Sequence, residues 1–399
     1  MKPLEGITII DLTHMLSGPY GTMLLADLGA RTIKVEPIGH GENTRALLAN
    51  STDYSRQGMG AYFLTLNRGK ESVCIDLKSP EGLAVFYDLV KEADVVFDNF
   101  SAGVTRRLKI DHETLSAINP RIVTCSVTGF GETGPARDRP AFDQVVQGMG
   151  GGMSITGFKD GPPVRAGIPI GDLGGGVFGA IGVLSSLVKR SASGKGEHVD
   201  VSMLDAQVSM LNYMATMYLM SGNVPGRLGN GHFVHVPYNT FKTTDGYIII
   251  ACIGDTFFQR LLEVMPLPGL CKPEYQEQPG RFAHEAEINQ LIQAHTETAP
   301  TAHWLALLSG ARIPCAPVND FEQALSDPQI LARDMVVDVT LQSGETLKMP
   351  GNPVKVGGSG NTTFTPPPLL GQDTDQVLSS VLGYSAETIN ALRRKEIIQ

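Results

Sequence analysis

One acid stands alone among glycines: Gly171 precedes Asp172, and Gly174, Gly175 and Gly176 follow within one turn. The apolar run from Val177 to Val188 predicts a buried helix, closed by Lys189, Arg190 and a Ser/Gly tail. Asp172 then falls at or near the helix N-terminus, where free N–H groups and the dipole favour an ionised carboxylate. Two roles fit it there, an N-cap and a functional carboxylate. A cap alone requires no glycine before it and three shortly after. Those glycines admit either the close approach of a bulky ligand or tight helix packing.

Other groups with chemical potential are sparser. His232 and His235 form an H-x-x-H pair with no glutamate or third ligand beside them, which argues against a metal site. The five cysteines (Cys74, Cys125, Cys252, Cys271, Cys315) are scattered and lack C-x-x-C spacing. That pattern fits reduced thiols in the cytoplasm rather than a disulfide frame or a zinc site. The N-terminus M-K-P-L-E-G reaches a charge at once, and no uninterrupted apolar run is long enough for a bilayer, so no membrane partner is expected. A net charge of −9 argues against nucleic acid as the main partner, while a local Arg/Lys cluster can still hold an anionic ligand.

The elements that position these groups alternate strand and helix. Ile7–Leu12 reads as a strand, Thr13–Pro19 as a loop, Tyr20–Leu28 as a helix and Arg31–Val35 as a second strand ending at Glu36. This opening predicts a doubly wound α/β domain. Glu36 stands where a dinucleotide fold places its ribose acid. S-G-P-Y-G, however, puts a proline where G-x-G-x-x-G needs a free N–H, which argues against a nicotinamide enzyme. Further strands are expected at Ser72–Leu77, Asp94–Phe97 and Ile122–Thr128, with helices at Pro80–Ala93 and Val104–Leu108. Asn67–Lys70 and Asn99–Arg107 fall at strand ends, where a nucleotide-like ligand lies in such sheets. Arg106 and Arg107 read equally as solvated helix charges.

Val199–Met220 predicts one long helix whose methionine stripe reads as subunit interface. A hairpin follows at Tyr238–Ala251 around a T-D-G turn, then helices at 256–264, 285–298 and 302–308. Ile313–Val318 suggests a second hairpin or strand pair. Strands resume after Met335 and lead through T-P-P-P-L-L-G to two short helices. At 399 residues, two domains are expected.

Several of these segments carry a resemblance. L-E-G-I-T-I-I-D-L-T-H, S-G-P, L-L-A-D-L-G-A-R-T-I-K-V-E-P, A-D-V-V-F-D-N-F, S-V-T-G-F-G-E-T-G-P, A-F-D-Q-V-V-Q-G-M-G-G, G-I-P-I-G-D, G-K-G-E-H-V-D-V-S-M and P-P-P-L-L-G-Q-D-T appear in that order. The chain resembles, over nearly its whole length, the family III CoA-transferases, the family of formyl-CoA transferase and carnitine CoA-transferase. The resemblance implies an α/β fold with a Rossmann-like large domain built from both chain ends, residues 1–200 and 335–399. Residues 201–223 would be a linking helix and 224–334 a smaller α+β domain. It also implies an interlaced homodimer, acyl-CoA and carboxylic acid as substrates, and no tightly bound cofactor.

The same resemblance makes Asp172 a covalent nucleophile that forms an acyl anhydride and then an aspartyl-CoA thioester. Asn99, Phe100, Arg107 and Leu108 match the family's CoA contacts, Ile75 a contact beside the adenine, and Asp143 its acid near the nucleophile. Two positions depart from formyl-CoA transferase: a glutamine before the A-G-P turn is Leu16 here, and an arginine after K-I-E is Pro37. R-L-G-N-G-H is also shorter than that enzyme's tetraglycine loop. P-A-F-D-Q lacks the histidine base that the family's racemases need. The expected acceptor is a short dicarboxylate such as oxalate, succinate, glutarate or itaconate, with Arg165, Arg227 and His232 as candidates for its distal carboxylate. An acyl-CoA isomerase or intramolecular CoA transferase using Asp172, and a non-catalytic acyl-CoA-binding protein, are the alternatives.

Overall fold

The computed structural model describes residues 2–357 and 364–399. Six short strands form a parallel sheet: β1 (Thr8–Asp11), β2 (Arg31–Glu36), β3 (Lys70–Cys74), β4 (Val95–Asp98), β5 (Val123–Thr128) and β6 (His198–Ser202). Their spatial order is 3-2-1-4-5-6, so the order reverses between β1 and β4. Loops leaving those two strands diverge, and the divergence opens a crevice at the carboxyl edge. Helices cover both faces, which is why β4 and β5 are buried throughout. Alternation sorts the side chains: Ile10, Ile33 and Val96 join one core, whereas Ile9, Val95 and Val123 join the other.

The helices of this region include α1 (Ser17–Asp27), α2 (Ala61–Leu66), α3 (Pro80–Glu92), α4 (Val104–Leu108), α5 (Asp143–Met149), α6 (Ile170–Ser193), α7 (Met203–Met210) and α8 (Tyr213–Ser221). α3 shows the local logic: Ser79 caps it through the Gly82 N–H and Pro80 opens it, a position that needs no donor. α6 leads into β6, a parallel strand, so its N-terminus lies at the same sheet edge as the start of α1.

Two compact units divide the chain. One comprises residues 1–152, 165–222 and 328–399; the other comprises 153–164 and 223–327. The second has its own antiparallel sheet of β7 (Tyr238–Lys242), β8 (Tyr247–Ala251) and β9 (Cys315–Pro317), around a core that includes Phe241, Ile250, Phe258 and Trp304. In the first, β10 (Val336–Thr340) and β11 (Thr346–Pro350) form a hairpin packed with Phe63 and Leu64 of α2.

The structure corrects three expectations. Val199–Met220 is not one helix: Val199 and Val201 ladder with Cys125 and Val127 in the sheet, and Ser202 then caps α7 through the Asp205 N–H. H-V-D-V-S carries a period of two, and sheet pairing overrides the helical pattern that follows it. Asn212, at φ +50°, separates α7 from α8. Ile313–Val318 yields a single strand, β9, on the edge of β8. The apolar run of α6 is buried on one face only, since Val177, Ile181 and Val188 are exposed. By length and composition α6 is apolar enough to cross a membrane, yet nearly half of it packs inside the larger unit.

The glycines of α6 serve packing. A Cβ on Gly176 would lie 2.4 Å from the Ser17 carbonyl oxygen, and one on Gly21 2.7 Å from the Gly176 oxygen. Gly179 rests on Phe97, and Gly174 on Met210 of α7. Two backbones therefore meet where no side chain fits. Gly176→Ala should lower stability by about 2 kcal/mol or more, because the obstacle is backbone and cannot turn aside. Gly167→Ala, whose methyl meets nothing within 4 Å, should leave the thermal midpoint unchanged in the same calorimetric comparison.

Candidate active site

Asp172 is the third residue of α6, and it does not cap the helix. Pro169 occupies the N-cap and offers no side-chain acceptor. Asp143, the first residue of α5, takes that duty: its Oδ1 accepts the N–H of Gly171 at 2.8 Å and of Asp172 at 3.3 Å. Its Oδ2 accepts the Gln147 amide at 2.6 Å. Gln147 is buried, and its own oxygen accepts the Ala166 N–H at 2.9 Å. The backbone at Gly171 and Asp172 is thus held by another acid, and the helix start takes no cap from the Asp172 side chain.

Burial, and then the Asp143 charge, push the Asp172 carboxyl up to about 6. Such a group is still mostly ionised at neutral pH and more basic than an exposed carboxylate. Tyr62 on α2 lies within the same field. Burial raises its phenol, and the charges of Asp172, Glu42 and Asp143 add to that rise.

A cavity of about 910 Å³ opens at the carboxyl ends of β1 to β4. Ile75, Phe100 and Leu108 give it apolar walls, with Thr13 and His14 on the β1 side. Asn99 does not line it. Its amide instead clamps the β1 loop, accepting the His14 N–H at 2.9 Å and donating to the His14 carbonyl at 2.7 Å. Gly18 permits this closeness, because a Cβ there would lie 2.5 Å from Thr13 and 3.1 Å from Asn99. Asp98 shapes the turn beneath, accepting the Phe100 N–H and the Ser126 hydroxyl.

A size and position of this kind suit a nucleotide. The model of CoA-transferase family III matches residues 4–374. The chain belongs to that family. It is 41% identical over 358 residues to acetyl-CoA:oxalate CoA-transferase of Acetobacter aceti, covering 89% of this chain and 90% of that one. It is 37% identical over 383 residues to succinate–glutarate CoA-transferase of Agrobacterium fabrum, at 95% and 96% coverage. A solved CAIB/BAIF family protein from Brucella suis superposes with a TM-score of 0.84 at 33% identity, over 95% of this chain and 99% of that one.

In this family III CoA-transferase the residues expected at the site separate into groups. Asp143 and Asp172 come together, and Ile75, Phe100 and Leu108 share the cavity wall. Arg107 is exposed and outside the lining; with Arg137 it flanks Gly103, each guanidinium within 4 Å of where a Cβ would stand. Arg106 turns away to Glu113 at 3.6 Å. Glu36 is not a free ribose acid, because Arg45 and Ser72 occupy both its oxygens. Arg165 is exposed and donates to the carbonyls of Ala166 and Gly167. Within the smaller unit, Arg227 holds the carbonyls of Phe158 and Gly161, and His232 stacks on Phe233 and His235.

Other groups were not singled out from the chain. Lys34 and Lys70 are wholly buried around Asp11 beneath the β1 loop, and Lys34 donates to the Thr13 carbonyl at 2.6 Å. Burial opposes ionisation of Asp11, but the two lysines outweigh it and hold its carboxyl well below the usual range. Burial brings Lys70 down to about 8. A lysine between the β-branched residues of T-I-K-V was the available signal.

Asp172 has a folded value above its unfolded 3.8, so its ionised form costs the fold. That cost is absent below about pH 4, grows as pH rises to about 6 and is constant above, at up to about 3 kcal/mol. Asp172→Asn should therefore raise the thermal midpoint at pH 7.5 and leave it unchanged at pH 3.5. In the wild type, kcat/KM for the donor should fall about tenfold between pH 7 and pH 5, measured with the donor held below its KM.

Proposed function

We propose that the chain transfers CoA from an acyl-CoA donor to a short dicarboxylic acid, with Asp172 as covalent nucleophile. The observation that carries this reading is an acid of raised basicity, relieved of capping by Asp143, in the unit that holds the nucleotide-sized crevice. The Asp172 carboxylate attacks the thioester carbonyl, the C–S bond breaks, and an aspartyl–acyl anhydride and a CoA thiolate result. The thiolate then adds to the aspartyl carbonyl, and the donor acid leaves as its carboxylate. The acceptor carboxylate attacks the aspartyl-CoA thioester, and the returning thiolate takes the acyl carbon of the new anhydride. Every bond broken is replaced, so no redox partner is required. Raised basicity, burial and a directed approach are what a weak oxygen nucleophile needs.

Ile75, Phe100 and Leu108 would take the apolar faces of CoA, Asn99 would hold the β1 loop against it, and Arg107 would meet its phosphates. Oxalate and glutarate in the names of the relatives, with mesaconate in a third at 37% identity, support a short dicarboxylate acceptor. We also infer a cytoplasmic enzyme, consistent with five free cysteines, and an interlaced homodimer. Exposed apolar residues on α6 and α8, Leu219 and Met220 above all, support the dimer.

Incubation with succinyl-CoA or acetyl-CoA and then hydroxylamine should modify Asp172, as read by peptide mass. Asp172→Ala should form no adduct and turn over below a hundredth of wild type with oxalate, glutarate, mesaconate or itaconate as acceptor. Residual transfer above that level would remove Asp172 as nucleophile. Interlaced homodimers carrying different tags should not exchange subunits over hours, yet should mix after joint unfolding and refolding. Native exchange within minutes would exclude interlacing.

A further inference from the structure

α1 begins without a side-chain cap, because Leu16 stands at its N-cap position. Helix geometry leaves the first-turn N–H groups unpaired, and Pro19 has none, so Ser17 and Gly18 present two donors. The Ser17 side chain adds another. This residue is 3% exposed, and its hydroxyl has no hydrogen-bond partner among the described residues. A buried hydroxyl in that state is a cost to the fold, which a ligand oxygen would relieve.

Its direction is set by the helix crossing. A Cβ on Gly175 would lie 2.6 Å from Ser17 Oγ, so the hydroxyl presses on α6 at a position where only hydrogen fits. Gly175 follows Asp172 by three residues and shares its face of α6. The orphaned hydroxyl and the uncapped start of α1 thus meet α6 about one helical turn beyond Asp172.

We propose that Ser17 donates its hydroxyl to the oxyanion formed on the Asp172 carbonyl, with the Ser17 and Gly18 N–H groups beside it. The proposal rests on Asp172 as nucleophile and adds the donor that its intermediates need. When the CoA thiolate attacks the aspartyl carbonyl, the S–C bond forms and the C=O π pair moves onto oxygen. Ser17 shares its proton in a hydrogen bond and does not transfer it. Collapse restores the carbonyl as the acyl carboxylate departs. A fixed donor in a dry site stabilises that charge without having to reorganise.

Ser17→Ala tests this, because it removes the hydroxyl and leaves the backbone donors. We expect a thermal midpoint equal to or above wild type, a donor KM within about twofold, and kcat reduced about tenfold to a hundredfold. Rapid-quench formation of the covalent CoA adduct should slow by the same factor. Ser17→Cys, which fills the site with a weaker donor, should fall between the two. Unchanged kcat in Ser17→Ala, or a loss of kcat that tracks a loss of thermal midpoint, would overturn the assignment. Asp172→Ala run alongside separates the two readings. An adduct in that variant would refute the nucleophile, whereas no adduct there with full turnover in Ser17→Ala would refute the serine alone.

Discussion

The crossing of α1 over α6 is the contact on which the site depends. Gly21 and Gly176 bring backbone against backbone at distances that no Cβ would allow. Because α1 follows β1 and α6 precedes β6, both helices start at the carboxyl edge of the sheet, and the crossing draws their first turns together. One first turn carries Asp172 and the other carries Ser17. Dipoles of both N-termini then favour negative charge in the space they share. A looser crossing would keep the fold and move these two first turns apart.

The acid beside Asp172 acts through position and charge together. Asp143 has both oxygens engaged, by two backbone N–H groups and by Gln147, so it is held as a fixed charge. That fixed charge opposes ionisation of Asp172 while its hydrogen bonds hold the same turn in place. Burial does most of the work on the Asp172 carboxyl and Asp143 adds to it. An isolated carboxylate in water has neither constraint and is a poor nucleophile toward a thioester.

Beneath the β1 loop the protein buries charge instead of apolar volume. Asp11 with Lys34 and Lys70, and Glu36 with Arg45, are almost wholly enclosed. Such pairs seldom add net stability, since desolvation offsets their attraction. They do specify geometry: Lys34 fixes the Thr13 carbonyl, and Asp11 accepts the Thr13 N–H and hydroxyl. Asn99 then clamps the next residue, His14, from the neighbouring strand. The crevice at the switch point therefore owes its wall to polar bonds made across the sheet edge.

Much of the fold was legible from local pattern. The short apolar runs in I-T-I-I-D and A-D-V-V-F, the Ser79–Pro80 helix start and the Gly29 stop are properties of neighbouring residues. The strand-helix alternation followed from them without tertiary information. Asp172 could be placed near a helix start for the same reason, and the ordered motifs pointed to a CoA-transferase. Where local pattern misled, a distant partner had intervened: β5 drew Val199 and Val201 out of the expected helix. Which acid caps α6 was a tertiary decision, because Asp143 lies 29 residues before Asp172 and meets it through space. The burial of Lys34, the commitment of Glu36 to Arg45 and the orphaned hydroxyl of Ser17 were decided in the same way. Local periodicity records which face of an element is apolar, but not which polar group from elsewhere in the chain will arrive opposite it.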